Sequence, residues 1–190
     1  MKRLLGATLL LSCAAARPTP VPANTWVHVP QLAARETPAA DVINQQLKLK
    51  FDELASCEPY AAESANVDGE ITLRSPRLVG AVAHVEVFCV HALHPVIENV
   101  SFFFDAVTGE RLPTILKPDA EPELERRFLA KQPALECEGE HVSWSGLLLE
   151  PRTEGLWVTT NVGWANRPCA QSALLKWQDL EGLLVHPPSP

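Results

Sequence analysis

The sequence predicts an α+β fold: a mainly antiparallel sheet with one long helix packed on a face and one or two short helices. Two observations lead to this prediction. The segments that alternate with the two-residue period of strands are joined by short, hairpin-like links, which favour antiparallel pairing. One segment has a continuous apolar stripe at helical period, which suits a helix that covers one face of the sheet.

The first predicted elements are a strand and the long helix. Residues 26–32 alternate well enough for a strand, and Pro30 places it at a sheet edge or a strand end. The helix is predicted over residues 39–56, a segment without Gly or Pro. Its apolar stripe consists of Ile43, Leu47, Phe51 and Leu54. Residues 58–66 are predicted to form a loop.

Three strands are predicted after this loop. Residues 67–73 and 78–90 pair across a turn, and residues 98–105 form the next strand. The long strand is largely apolar on both faces, so it is predicted to lie in the centre of the sheet. Asp105 and Gly109 then supply turn chemistry, because Asp can bond its own chain and Gly tolerates a left-handed backbone.

The second half of the chain is predicted to add a helix and three strands. The helix covers residues 118–131, with Asp119 as its N-cap. Residues 141–150 and 156–162 form a hairpin, and residues 173–177 form the last strand, which a closing helical turn follows.

The N-terminus has the form of a lipoprotein signal peptide over residues 1–16. Its apolar run is too short to span a bilayer, since a helix needs about 20 apolar residues for that. The run ends at a serine and Cys13, which resembles a bacterial lipobox and makes Cys13 the predicted lipidation site. The alternative is ordinary cleavage after Ala16. By resemblance to lipoprotein sorting, the non-acidic Ala14 points to an outer-membrane lipoprotein that faces the periplasm or the cell surface.

The remainder of the chain is predicted to have three parts. Residues 17–25 form a Pro-rich tether, which is stiff and extended. Residues 26–185 form a single domain, and residues 186–190 form a disordered tail. No other segment is long and apolar enough to cross a membrane.

The chain is acidic, with 16 Lys and Arg against 23 Asp and Glu and a formal net charge of −7. Removal of residues 1–12 takes away Lys2 and Arg3 and no acid, so two fewer positive charges give −9. This balance argues against nucleic acid as a partner, because phosphate binding needs clustered Lys and Arg, and it is compatible with a basic protein partner. We expect no cofactor and no enzymatic activity, since no P-loop, dinucleotide fingerprint or serine elbow occurs.

Four cysteines follow Cys13: Cys57, Cys89, Cys137 and Cys169. An even number in an exported chain suggests disulfides, with three connectivities open. We predict pairing between neighbours, Cys57 with Cys89 and Cys137 with Cys169, which would staple each half of the chain. A zinc site is the competing interpretation, and the absence of a close C-x-x-C pair argues against it.

Histidines and tryptophans supply the candidate functional residues. His91 and His94 lie in the connection before the strand at 98–105, and with His84 and Glu86 they could form a metal site or a hydrolase centre. A metal is not expected, because this spacing lies in a turn and differs from the helical pair of catalytic zinc sites.

Trp157 and Trp164 belong to a cluster of tryptophans late in the chain. Trp164 falls in a predicted loop, and exposed Trp is enriched in binding hot spots. We therefore include both, together with His91 and His94, as candidate binding residues.

Several segments in order carry a family resemblance. They are VHVPQL leading into VINQQL, a strand that ends in FC before HALHP, then FFFDAVTGERL, GLWVTTNVGWANRPC and LLKWQDLEGLL. Over residues 26–184 the chain resembles the RsiV-like extracytoplasmic domain family, which also occurs beside the deacetylase domain of PdaC and in bacterial envelope lipoproteins.

The resemblance implies a fold in which a helix packs on an antiparallel sheet, and a domain that binds lysozyme. An anti-sigma role is not expected, because no membrane-crossing segment is predicted. The sequence therefore favours a non-enzymatic, lipid-anchored envelope protein that binds a macromolecule, possible partners being a lysozyme-like muramidase or, as the alternative, cell-wall glycan. A hydrolase at His84, His91 and His94 is a third hypothesis.

Overall fold

The computed structural model describes residues 24–131, 147–160, 170–185 and 187 of the 190-residue chain. Two α-helices and eight strands lie in these ranges, and a short 3₁₀ helix follows the last strand. In chain order they are β1 (Asn24–His28), α1 (Ala40–Leu54), β2 (Ala62–Arg74), β3 (Leu78–Cys89), β4 (Val96–Asp105), β5 (Arg111–Leu112), α2 (Glu121–Leu129), β6 (Leu147–Arg152), β7 (Gly155–Thr160), β8 (Ser172–Lys176) and the 3₁₀ helix Trp177–Leu180.

The strands form a five-stranded sheet in the order β1-β2-β3-β4-β5 and a three-stranded sheet in the order β6-β7-β8. Only β1 and β2 run parallel among these pairs, and all other neighbours are antiparallel. The prediction of a mainly antiparallel α+β fold is therefore confirmed. β3 is the central strand of the larger sheet, as its two apolar faces predicted.

Helix α1 covers one face of the larger sheet because its apolar stripe matches the inward residues of the strands. Ile43, Leu47 and Phe51 are fully buried, and the ring of Phe51 lies 5.9 Å from the ring of Phe102 on β4. From β3, this core receives the inward residues Val79, Ala81, Ala83, Val85 and Val87.

A second core lies between α2, the smaller sheet and one end of the larger sheet. Strand β4 serves both cores, because alternate residues of a strand point to opposite faces: Phe102 and Phe104 join the α1 core, and Phe103 joins the second core. Strand β6 contacts β2, β3 and β4. The contact is close at Gly80, where an added Cβ would clash with Cγ of Pro151.

The turn between β4 and β5 forms as the sequence predicts. The carboxylate of Asp105 accepts hydrogen bonds from the backbone N–H groups of Val107 (2.8 Å) and Thr108 (2.7 Å). Gly109 has a φ of +77°, which side chains disfavour. The side-chain amide of Gln46 on α1 donates to the carbonyl of Gly109 (2.6 Å), so the turn is joined to the helix.

The first predicted disulfide is present, since Cys57 and Cys89 are bonded. The bond joins the segment that follows α1 to the last residue of β3, with 5.7 Å between the two Cα atoms. Cys13, Cys137 and Cys169 lie outside the described residues, so the second pair stays a prediction.

Some predicted boundaries are wrong. Residues 62–66 belong to β2 rather than to a loop, because they pair with the last residues of β3. Only Ala65 among them is buried, so their sequence lacks the apolar pattern of a core strand. Asp119 is not an N-cap: its φ is +64°, Ala120 takes the cap position, and α2 is shorter than residues 118–131. The first hairpin strand ends at Arg152 rather than at residue 150, so Pro151 lies inside β6, an edge strand, which tolerates proline.

Candidate functional site

Helix α1 covers one face of the larger sheet, and the smaller sheet covers part of the other face. The remaining part of that second face is exposed. Strand register places two rows of side chains on it, each row crossing β1 to β4. We call these eight exposed residues the open face: His28, Asp68, His84 and Asn99 in one row, and Trp26, Asn66, Glu86 and Ile97 in the other.

The alternation of β3 explains why this face is polar. Val85 and Val87 point into the α1 core. His84, which precedes Val85, and Glu86, which lies between the two valines, must therefore point to the opposite face of the sheet. A one-residue slip of register would bury both polar side chains, which opposes such a slip. The open face is thus a direct consequence of the apolar pattern that packs α1.

Edge strand β1 gives the open face its aromatic part. Trp26 is 53% exposed, and its ring stacks beside that of His28, with 6.0 Å between ring centroids. Nδ1 of His28 lies 2.8 Å from a carboxylate oxygen of Asp68 on the neighbouring strand. The open face carries the carboxylates of Asp68 and Glu86 and contains neither Lys nor Arg.

A chain of hydrogen bonds runs from the open face to the smaller sheet. Nδ1 of His84 lies 2.8 Å from Oδ1 of Asn99, and the amide of Asn99 donates to Oε1 of Glu150 (3.0 Å). The guanidinium of Arg152 donates to Oε2 of Glu150 (3.0 Å) and to Glu70 on β2 (3.1 Å). We call these five residues the polar chain.

Glu150 is the buried member of the polar chain, with 8% of its surface exposed. A buried carboxylate is costly unless it is hydrogen-bonded, and both of its oxygens have partners here. The polar chain therefore links β2, β3 and β4 to β6 and sets the position of the smaller sheet beside the open face.

Trp157 borders the polar chain. It is the cross-strand partner of Glu150 in the β6–β7 register, so the two side chains share one face of the smaller sheet. Its side chain is 40% exposed, whereas Leu156 and Val158 on either side are buried. Asn99 and Glu150 also line a cavity of about 310 Å³.

The structure does not bring the predicted histidines together. His84 lies in the middle of β3, and about 17 Å of strand separates it from the strand end at Cys89, where the loop with His91 and His94 begins. In the ranges that the structure describes, no group of three or more His, Cys, Asp or Glu residues is arranged to hold a metal ion. Trp164 lies outside these ranges.

Sequence reasoning missed most of the open face. It included His84 and Glu86 only as partners of the loop histidines, and it did not single out Trp26, His28 or Asp68. Their alternation with half-buried residues of β1 and buried residues of β2 was a usable signal. What the sequence did not reveal was the order of the strands, which places the three side chains beside those of β3.

A separate ion-pair cluster lies on α2. Glu123 accepts hydrogen bonds from Arg126 (2.6 Å) and Arg127 (2.7 Å). These hydrogen bonds lower the pKa of Glu123 to about 2. The salt link between Lys131 and Asp179 (2.6 Å) lowers the pKa of Asp179 and joins the end of α2 to the 3₁₀ helix.

Comparisons with known proteins give structural neighbours only. The chain matches no protein-family model and has no significant match among curated proteins. Its structure is similar to a DUF3298 family protein from Pseudomonas aeruginosa PAO1, with 10% identity, a TM-score of 0.46, and coverage of 75% of this chain and 70% of that one. A DUF3298 family member from Bacteroides fragilis gives 11% identity, a TM-score of 0.46, and coverage of 79% of this chain and 66% of that one.

No helix within the described ranges is both long enough and apolar enough to cross a membrane.

Proposed function

We propose that this protein is a non-enzymatic binding protein that contacts another macromolecule through its open face. The composition of that face carries the proposal: an exposed indole at Trp26 lies among the carboxylates of Asp68 and Glu86, without Lys or Arg. Exposed Trp is enriched in binding hot spots, and an acidic surface speeds the encounter with a basic protein. The fitting partner is therefore a basic protein.

The partner class we propose is a lysozyme-like muramidase, which the domain binds or inhibits. The site of action in this proposal is the bacterial envelope, with Cys13 lipidated and the domain exposed to the periplasm or the cell surface. Its support is the lipobox-like N-terminus, the net charge of −7 and the acidic open face.

The test is calorimetric titration of the purified protein with a c-type lysozyme. We expect binding that weakens between about 10 mM and 150 mM salt, because the Debye length falls from about 30 Å to about 8 Å. Trp26→Ala should weaken binding about thirtyfold, the size of a hot-spot loss of about 2 kcal/mol. Undetectable binding at both salt concentrations would remove lysozyme as the partner.

A charge-matched pair of variants tests the location of the interface. Asp68→Asn with Glu86→Gln removes two carboxylates from the open face and should weaken binding about tenfold at low salt. Asp52→Asn with Glu53→Gln removes two carboxylates from α1, on the other side of the sheet, and should leave binding unchanged. Equal losses in both variants would contradict an interface on the open face.

The second candidate function is binding of cell-wall glycan. The observation that favours it is the exposed ring of Trp26 beside the side-chain amide of Asn66, its partner in the strand register. Such a site should bind N-acetylglucosamine oligomers with little dependence on salt. Trp26→Ala should then abolish binding, and the double charge variant of the open face should retain it.

A further inference from the structure

One end of the larger sheet carries the Cys57–Cys89 disulfide. Strands β2 and β4 start at this end and β3 finishes there, as the strand register shows. Strand β1 is parallel to β2 and also starts there, with Asn24 beside Ser64. Two connections lie at the same end: residues 57–61 before β2 and residues 90–95 between β3 and β4. The N-terminal part of the chain therefore enters the sheet at the end that carries these connections.

The two connections expose apolar side chains. Leu93 is 97% exposed, the largest fraction among the exposed large hydrophobic residues of the described ranges. Tyr60 and Val96, the residue after the second connection, are exposed as well. The connections are held next to each other, because the N–H of Val90 donates to the carbonyl of Ala61 (2.9 Å). We call Tyr60, Leu93 and Val96 the apolar tip. Exposed apolar clusters of this kind mark contacts with a partner or with a membrane.

The charge around the apolar tip suits a zwitterionic lipid surface. Residues 57–63 and 90–98 contain three glutamates (Glu58, Glu63 and Glu98), two histidines and neither Lys nor Arg. Anionic lipids attract Lys and Arg, so they would repel a segment whose fixed charges are carboxylates. An apolar contact with a zwitterionic lipid involves no such repulsion.

The predicted lipid anchor restricts which end of the sheet can meet the bilayer. Residues 14–23 lie between Cys13 and β1, and even when fully extended they span at most about 36 Å, at about 3.6 Å per residue. The sheet is longer, since the 12 residues of β3 extend over about 40 Å at about 3.3 Å per residue. A domain tethered through Cys13 therefore cannot stand upright on the opposite end of the sheet. The tether also holds the apolar tip at high effective concentration near lipid, so a weak contact is sufficient.

We propose that the apolar tip docks on the surface of a zwitterionic bilayer, so that the domain stands on the membrane with the disulfide-bearing end of the sheet towards the lipid. This inference goes beyond binding through the open face and rests on the proposed lipidation of Cys13. Leu93 enters the boundary between headgroups and acyl chains, and Tyr60 lies at the headgroup level, where aromatic rings are favoured. The open face lies on the side of the sheet and stays accessible to a partner.

The first test maps the lipid contacts of the protein, produced from the full chain in a bacterium that lipidates it. The protein is placed in vesicles of phosphatidylethanolamine and phosphatidylcholine that contain a photoactivatable phosphatidylcholine, and mass spectrometry locates the adducts after illumination. Peptides with Tyr60 and Leu93 should carry about tenfold more adducts than α1 peptides with the exposed Val42 and Leu49, since burial of one leucine corresponds to about that factor. Equal labelling of both sets, or no adducts at the apolar tip, would overturn the proposal.

The same spectra separate this inference from the proposed lipid anchor. A Cys13 peptide without the mass of a lipid would overturn the anchor and this inference with it. A lipidated Cys13 peptide without adducts at the apolar tip would overturn this inference alone. Added phosphatidylglycerol should lower the adduct yield at the apolar tip, because the three glutamates are repelled by an anionic surface. An unchanged or higher yield would contradict the assignment to a zwitterionic surface.

The second test compares two variants that make the same substitution at exposed leucines. Leu93→Asp should lower the adduct yield on the Tyr60 peptide about tenfold, because it removes the largest apolar contact of the apolar tip. Leu49→Asp changes a leucine of α1 that is 57% exposed and should leave that yield unchanged. Equal losses in the two variants would refute the assignment, and the contact map of the unmodified protein stays decisive if a variant fails to fold.

Discussion

The buried carboxylate of Glu150 offers the sharpest test of how the two sheets are held together. Replacing it with alanine removes one hydrogen bond from the neutral amide of Asn99 and one from the charged guanidinium of Arg152. These bonds contribute about 1 and about 2 kcal/mol, respectively. Arg152 is 35% exposed and keeps its contact with Glu70, so water recovers part of the loss. We expect Glu150→Ala to lower the free energy of unfolding by about 2–3 kcal/mol.

Thermal unfolding by scanning calorimetry at pH 7 measures this loss. For a chain of 190 residues, each kcal/mol corresponds to about 2–4 °C, so the melting temperature should fall by about 4–12 °C. The melting temperature of Glu150→Gln should lie between those of wild type and Glu150→Ala. Its amide oxygen can still accept the hydrogen bond from Asn99, but its NH₂ group faces the N–H donor of Arg152 and cannot accept from it.

Glu154→Ala is the matched control, because it makes the same substitution two residues after Arg152 at an exposed side chain. It should change the free energy of unfolding by less than about 0.5 kcal/mol. A Glu150→Ala protein that melts within about 1 °C of wild type would refute the reasoning, since a carboxylate buried between two partners cannot be removed at so low a cost.

Three further predictions concern the disulfide, α2 and the contact between the sheets. Replacing Cys57 and Cys89 with serine should lower the free energy of unfolding by about 4 kcal/mol in the chain-entropy model, since the bond spans 32 residues; a urea titration measures it. Glu123→Gln should destabilise the protein at pH 7. Because folding lowers the pKa of Glu123 to about 2, the difference in stability between wild type and variant should disappear as the pH falls from about 4.3 to 2. Melting temperatures measured across this pH range test it. Gly80→Ala should cost about 1–3 kcal/mol in the same urea assay, because its Cβ would meet Pro151; an unchanged midpoint would contradict that contact.

The parts of the fold that follow from local periodicity could be predicted from the sequence. The α1 stripe of Ile43, Leu47 and Phe51 has one clear period, and the two apolar faces of β3 indicated a central strand. Strand β4 was predicted over residues 98–105, but the sequence did not show that its two faces, with Phe102 and Phe104 on one and Phe103 on the other, serve two different cores.

The parts that depend on long-range pairing could not be predicted. Residues 62–66 look like a loop because their exposed positions are polar, and only pairing with β3 makes them a strand. The polar chain depends on the same kind of information: Asn99 and Glu150 are 51 residues apart and meet only when the smaller sheet packs beside β4. The open face therefore became recognisable as a site only after the strand order was known.

The most direct test of the open face as a binding surface is the response of individual indole N–H resonances to added c-type lysozyme in NMR spectra. The five tryptophans give five resonances, which single Trp→Phe variants assign. We predict that the resonance of Trp26 shifts on titration. The resonance of Trp177, which lies beside the β2–β3 turn and away from the open face, should not shift. A shift of the Trp177 resonance with that of Trp26 unchanged would contradict the proposal and place the interface elsewhere.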